Sequence, residues 1–312
     1  MQFESIKTVA IVGCGVIGAS WAAFYLAKGF DVVAYDPAEG AQQRLQEWVN
    51  TFWQDLSEMG LVAGASLNRL RFETDLSQAV QHADFVQENG PERLELKQAL
   101  YTQMDAAAPT QAIFASSSSG LKISDIQSVC QHPERVVLGH PFNPPHLLPL
   151  VEVIGGAQTD AAVVEQTMAF YQSLGKKAIR IHKEVPGHVA NRLQAALWRE
   201  AFYLVEQGVC SAQDVDTAIT AGPGLRWALL GPYLNMQLAN NAGFAHAMEH
   251  LGPPMTSWWN DLGSVTVDEA LIDTLDTQVG AWLESLGGVN LRQERDTALL
   301  GLLKLREASQ LP

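Results

Sequence analysis

Residues 8–36 read TVAIVGCGVIGASWAAFYLAKGFDVVAYD, and this stretch decides the fold. A β-favouring apolar run at 8–12 enters a glycine-rich turn, a helical pattern follows from Val16, and a second apolar run at 31–35 closes on Asp36. Gly13, Gly15 and Gly18 form G-x-G-x-x-G at the strand-to-helix junction. Gly13 permits the tight turn, Gly15 lets the backbone approach a pyrophosphate, and Gly18 lets helix and strand pack closely, with the helix N-terminus facing the phosphates. The motif alone is weak. It gains weight from Asp36, which ends the second strand about 20 residues on, where an acid binds ribose hydroxyls. Asp36 is followed by Pro-Ala-Glu with no arginine for a 2′-phosphate, so NAD is expected rather than NADP.

The alternation continues beyond this unit. Further strands are expected near 83–86, 112–115, 136–139, 151–154 and 178–181, and helices near 16–28, 41–59, 93–107 and 161–174. Such a pattern predicts a parallel sheet covered by helices on both faces. After Glu184 the strands give out. VPGHVANRLQAALWREAFYLVEQG opens on Pro186 and carries apolar residues at helical spacing to Gly208, and helical stretches continue to Leu305. The expected fold is α/β, a Rossmann-type doubly wound sheet over 1–184, followed by an all-helical domain over 185–312.

Composition narrows the function classes. The 312 residues are 47% hydrophobic and 17% charged, as in an ordinary globular protein. A net charge of −14 opposes a nucleic-acid surface, which needs clustered Lys and Arg. Cys14, Cys130 and Cys210 are far apart, which suits a reducing, cytoplasmic setting better than a disulfide framework. Cys14 reads as a small filler more readily than as a redox handle. The uncharged stretch 8–27 is long enough to suggest a membrane span or signal, but glycines punctuate it and no positive segment precedes it. No His, Cys or Asp cluster has metal-ligand spacing, so no metal is expected.

Removing the proton of an alcohol suits an imidazole oriented by an acid. Of eight histidines, His140 ends the strand-like RVVLGH before the turn PFNPP, on the edge where open α/β sheets bind ligands. Glu152 follows within the apolar strand VEVI, where a buried acid needs a partner. His146, in the same loop, competes for the role. The run Ser116–Ser119 offers hydroxyl donors, or is simply a turn before Gly120. Asn191, early in the helix after Pro186, is a substrate donor or a backbone cap.

GCGVIG, PERLELK, SSSSGL, GHPFNPPHLLPLVEV and VPGHVANRL together resemble the 3-hydroxyacyl-CoA dehydrogenase family. The resemblance implies that His140 takes the hydroxyl proton and Glu152 orients it, with Ser119 and Asn191 holding the substrate oxygen and the ring. It implies an NAD site lined by Gly13, Gly15, Val16, Ile17, Gly18, Asp36, Glu92, Lys97 and Asn143, and a homodimer through the helical domain. For Glu92 and Lys97 the plainer readings are an acid in a helix's first turn and a solvated helix lysine. GLRWALLGP at 224–232 and RQERDTALLGLLKL at 292–305 resemble a branch acting on free acids, which includes λ-crystallin, L-gulonate 3-dehydrogenase and L-carnitine dehydrogenase. The implied reaction is NAD-dependent oxidation of a small 3-hydroxy acid to the 3-keto acid, with Arg226 gripping the carboxylate. The alternatives are L-carnitine, an acyl-CoA thioester, and a non-catalytic NAD-binding structural protein. Carnitine enzymes are expected to carry an acid at 191 and a tyrosine at 146, where Asn191 and His146 stand here. Segment 42–71, where CoA phosphates would rest, sets Glu47, Asp55 and Glu58 against Arg44, Arg69 and Arg71, a poor phosphate surface.

Overall fold

The computed structural model describes residues 6–311, which divide into two compact units, one reaching Arg192 and one starting at Leu193. The first unit is built on an eight-stranded sheet of order β3-β2-β1-β4-β5-β6-β7-β8. Its strands are β1 (Thr8–Val12), β2 (Asp31–Tyr35), β3 (Leu70–Glu73), β4 (Phe85–Glu88), β5 (Ile113–Ser116), β6 (Val136–Pro141), β7 (Leu150–Gly155) and β8 (Lys177–Ile181). Helices α1 (Val16–Ala27), α2 (Ala41–Met59), α3 (Leu76–Val80), α4 (Leu94–Ala107), α5 (Ile123–Gln127) and α6 (Ala161–Ser173) cover it. One face packs Trp21, Tyr25, Leu45, Phe170 and Tyr171, and the other packs Tyr101, Met104, Phe114 and Ile126, so both faces of the central strands are buried.

Two expectations need correction. Strand β3 was not foreseen, because LRFE is a half-exposed edge strand whose Arg71 and Glu73 break the apolar run. The sheet is also not wholly parallel: β6 and β7 pair antiparallel, with His140 directly opposite Glu152. Strands β1, β4, β5 and β6 do run parallel, so the loops that follow them leave one edge of the sheet.

The second unit is helical. Helix α7 (Ala190–Glu206) leads into it, followed by α8 (Ala212–Thr220), α9 (Pro223–Trp227), α10 (Pro232–Gln237), α11 (Phe244–Asp261), α12 (Glu269–Ser285) and α13 (Leu291–Ala308). Glu200 accepts a hydrogen bond from the Gly263 amide at 2.8 Å, and Arg306 donates to the Ala228 carbonyl at 2.8 Å. Among the described residues, no helix of the protein is long and apolar enough to cross a membrane.

Two buried side chains sew the loop after β6 to α1. His146 is stacked on Phe52 at 4.3 Å, meets Ser20 Oγ through Nδ1 at 2.9 Å, and meets Asp55 through Nε2 at 3.1 Å. Lys176, 5% exposed, donates to the carbonyls of Pro145 and Leu148 and lies 4.1 Å from the Phe24 ring centre. Burial, and then the charge of Lys28, lower the Lys176 amine to about 7. Above that pH the unfolded chain still holds a proton the folded chain has lost, so this group adds stability as pH rises toward its ordinary value. Relative to Lys176→Met, the unaltered protein should gain up to about 1.4 kcal/mol per pH unit between about pH 7 and 9 in denaturant unfolding. A constant difference across that range contradicts the assignment.

Candidate active site

The glycine-rich turn leaves β1 where the strand order reverses, since β1 lies between β2 and β4. This is the crevice where doubly wound sheets bind ligands. A Cβ on Gly13, at φ +92, would sit 2.7 Å from the Asn89 carbonyl carbon, and one on Gly18 would sit 1.9 Å from the Gly13 oxygen. Only glycine allows these approaches, whereas nothing lies within 4 Å of a Cβ built on Gly15, where the turn stays open. Val16 and Ile17 open α1 behind Gly15, so their amides head the helix. Asp36 accepts from the amides of Cys14 at 2.8 Å and Ala38 at 2.9 Å. It also borders a cleft with Pro37, Gly40, Gln43 and Phe72. A carboxylate has about four acceptor positions, so both oxygens keep capacity for ribose hydroxyls. An open glycine turn, a free helix N-terminus and a strand-end acid fit NAD. The Cys14 thiol is pushed up to about 12 by burial and then by Asp36, so it is an inert filler.

Beneath the loop after β4 lies a buried ion pair. Lys97, 1% exposed, donates to Glu88 at 2.7 Å and to the Gly90 carbonyl at 3.1 Å. Lys97 is therefore not a solvated helix lysine, and its ammonium is used under the loop, 3.7 Å from Glu92. Glu92 accepts from Ser118 Oγ at 2.7 Å and from the Gly120 amide at 2.8 Å. Burial pushes the Glu92 carboxyl up, but these bonds and the charge of Lys97 outweigh it and hold it below its usual value.

The serine run separates by partner. Ser116 donates to Glu88, Ser117 to Asn89 and Ser118 to Glu92, each at 2.7 Å. Ser119 is exposed, and among the described residues its hydroxyl has no hydrogen-bond partner. It is the serine left available to a ligand. Asn191 reaches the Ser119 carbonyl through Nδ2 at 3.5 Å, the far limit of hydrogen bonding. Asn143 is exposed on the loop after β6.

His140 and Glu152 face each other across the β6–β7 pair. Nδ1 of His140 lies 2.8 Å from Glu152 Oε2, and both side chains are buried. Glu152 Oε1 accepts from the amides of Val189 at 2.9 Å and Ala190 at 3.0 Å. Burial pushes the Glu152 carboxyl up, but the bonds from His140, Ala190 and Val189 outweigh it and hold it below its usual value. A carboxylate only accepts, so Nδ1 carries the proton and Nε2 keeps the lone pair. The competing His146 has both ring nitrogens engaged, by Ser20 and Asp55, and is a structural clamp.

Two further residues were not singled out from sequence. Gly139 is required because a Cβ there would lie 2.3 Å from the Tyr171 hydroxyl. That hydroxyl donates to Gln87 Oε1 at 2.6 Å, and Gln87 Nε2 donates to Ser117 at 2.9 Å and to the Gly139 carbonyl at 3.3 Å. Gln87 thus joins the serine run to the strand bearing His140. A glutamine directly after the apolar pair Phe85–Val86 within a strand was the available signal.

The family model for the NAD binding domain of 3-hydroxyacyl-CoA dehydrogenase matches residues 8–185, and that for its C-terminal domain matches 187–262. An L-carnitine dehydrogenase of Streptomyces coelicolor is 45% identical, covering 96% of this chain and 95% of its own. One from Pseudomonas aeruginosa is also 45% identical, over 96% and 93%. Among solved structures, 5-formyl-3-hydroxy-2-methylpyridine 4-carboxylic acid 5-dehydrogenase, an NAD+-dependent dismutase, superposes with a TM-score of 0.84 at 30% identity, covering 98% of this chain and all of that one. With both halves matched and a crevice that fits NAD, the chain is an NAD-dependent dehydrogenase and belongs to the 3-hydroxyacyl-CoA dehydrogenase family.

Proposed function

We propose that the protein oxidises the 3-hydroxyl of a free 3-hydroxy acid to the 3-keto acid, with His140 as general base, and that L-carnitine is the foremost substrate of that class. The observation that carries this reading is the 2.8 Å bond from His140 Nδ1 to the ionised, buried Glu152. It leaves one oriented lone pair, on Nε2, to take the alcohol proton, while Glu152 stabilises the imidazolium that forms. NAD supplies the hydride acceptor. The Ser119 hydroxyl and the Asn191 amide hold the substrate oxygen. Gly13, Gly15, Val16, Ile17 and Gly18 cradle the pyrophosphate, Asp36 takes the adenosine ribose, and Glu92 and Asn143 flank the other end. Lys97 serves this site from below, through Glu88 and Gly90.

On this reading residues 1–184 are the NAD-binding domain and 185–312 the substrate and dimerisation domain of a cytoplasmic homodimer. Supporting the dimer, Trp198, Trp227, Trp258 and Trp259 are 45–61% exposed in the single chain. Relatives named for L-carnitine along nearly the whole chain outweigh Asn191 and His146, which point the other way. Arg226, on α9, is exposed and pairs with no acid among the described residues, leaving its guanidinium for a substrate carboxylate.

His140→Ala should lower kcat by about 10² to 10⁴ with NAD affinity nearly intact, and Glu152→Gln should lower it less. Full activity in His140→Ala, or a His146→Ala variant that is folded yet dead, would overturn the assignment of the base. NADH formation across L-carnitine, L-gulonate, L-3-hydroxybutyrate and 3-hydroxybutyryl-CoA tests the substrate class. A free acid should be preferred, and Arg226→Met should raise its KM by about tenfold, or about 1.4 kcal/mol, without unfolding. Much faster turnover of the thioester than of any free acid contradicts the reading.

A further inference from the structure

His188 has no role in the site so far, yet it is the most unusual residue beside it. Among the described residues it alone, glycine apart, has a positive φ, at 54°, directly after Gly187 at 74°. Histidine adopts this conformation at a cost, and such cost is carried where the surroundings impose it. The ring is 4% exposed, and its centre lies 5.2 Å from that of His140. Nε2 sits 3.1 Å from the Ser118 carbonyl, which only accepts, so Nε2 carries the proton. Nδ1 is buried with no partner.

Each of these features links two parts of the site. The side chain fastens to the residue before Ser119. The left-handed backbone turns the next two amides, Val189 and Ala190, onto Glu152 Oε1. His188 also borders a small void whose lining is apolar apart from Lys122 and Glu184. A buried nitrogen left without a partner is costly.

We infer that His188 is a positioning residue that locks the serine turn to the His140–Glu152 pair. The inference rests on the proposed role of His140. The titratable groups around His188 are His140 on β6, Glu152 on β7, Glu92 after β4, and Lys122 and Glu184 along the void. Burial, and the neighbouring His140, hold its imidazole below the usual histidine value, against the pull of the Ser118 carbonyl and the two glutamates. The same burial disfavours a second cation beside His140. Unfastening the turn withdraws two amides from Glu152, leaves more negative charge facing His140, and favours its protonated form.

The test compares His188→Phe, which keeps the volume and loses the donor, with His188→Gln, whose Nε2 has similar reach. His188→Phe should remain folded and bind NAD normally, lose about ten- to a hundredfold in kcat with a smaller change in KM, and move the acid limb of the kcat/KM profile to higher pH. His188→Gln should recover most of kcat and return the acid limb to its original position. Unchanged kcat and pH profile in His188→Phe would overturn the inference, as would equal loss in both variants with the profile unmoved. Failure of the underlying reading is seen separately, as activity retained in His140→Ala.

Discussion

The site depends on burying one negative charge. Glu152 lies at 0% exposure in the middle of a strand, where an unpaired carboxylate would cost several kcal/mol. The fold meets that cost from two sides, with the His140 imidazole across the β6–β7 pair and the amides of Val189 and Ala190 from the turn before α7. Because the same carboxylate takes both, His140 and the turn are fixed relative to each other. The antiparallel register makes this possible, since it sets residues 140 and 152 opposite one another.

The surrounding loops are held by other buried polar groups. Gln87 bridges Tyr171, Ser117 and the Gly139 carbonyl, so the strand that carries His140 and the run that carries Ser119 share one anchor. The Glu88–Lys97 pair supports the loop after β4, and His146 with Lys176 ties the loop after β6 to the helix that opens the NAD crevice. Gln87, Lys97, His146 and Lys176 all find partners within a low-dielectric interior, where a half-made network would cost more than an apolar core. Rigid loops follow, and rigid loops are what hold a lone pair, a hydroxyl donor and a cofactor crevice along one sheet edge.

Much of this was legible in the chain. β1 and β2 read correctly because apolar runs bounded by glycine are a local signal, and the G-x-G-x-x-G turn with Asp36 carries its own chemistry. The direction of β7 and β8 was not, because periodicity reports which face is buried and not which way a strand runs. Nor was β3, whose charged residues hide an edge strand. Of the candidate site, His140 and Glu152 were found as a pair, whereas spacing alone left His146 in contention until its ring partners were seen. Gln87, the burial of Lys97 and the left-handed His188 depend on contacts between segments far apart in sequence, and nothing local announces them.

The site turns on one tautomer: His140 protonated on Nδ1 and bare on Nε2, because Glu152 stays ionised. ¹⁵N spectra of histidine-labelled protein, with the His140 signals assigned by His140→Ala, read this directly. In the neutral imidazole, Nε2 should show the shift of an unprotonated nitrogen and Nδ1 that of a protonated one, and Glu152→Gln should disturb this pattern. A His140 protonated on Nε2 with a bare Nδ1 in the unaltered protein would contradict the account.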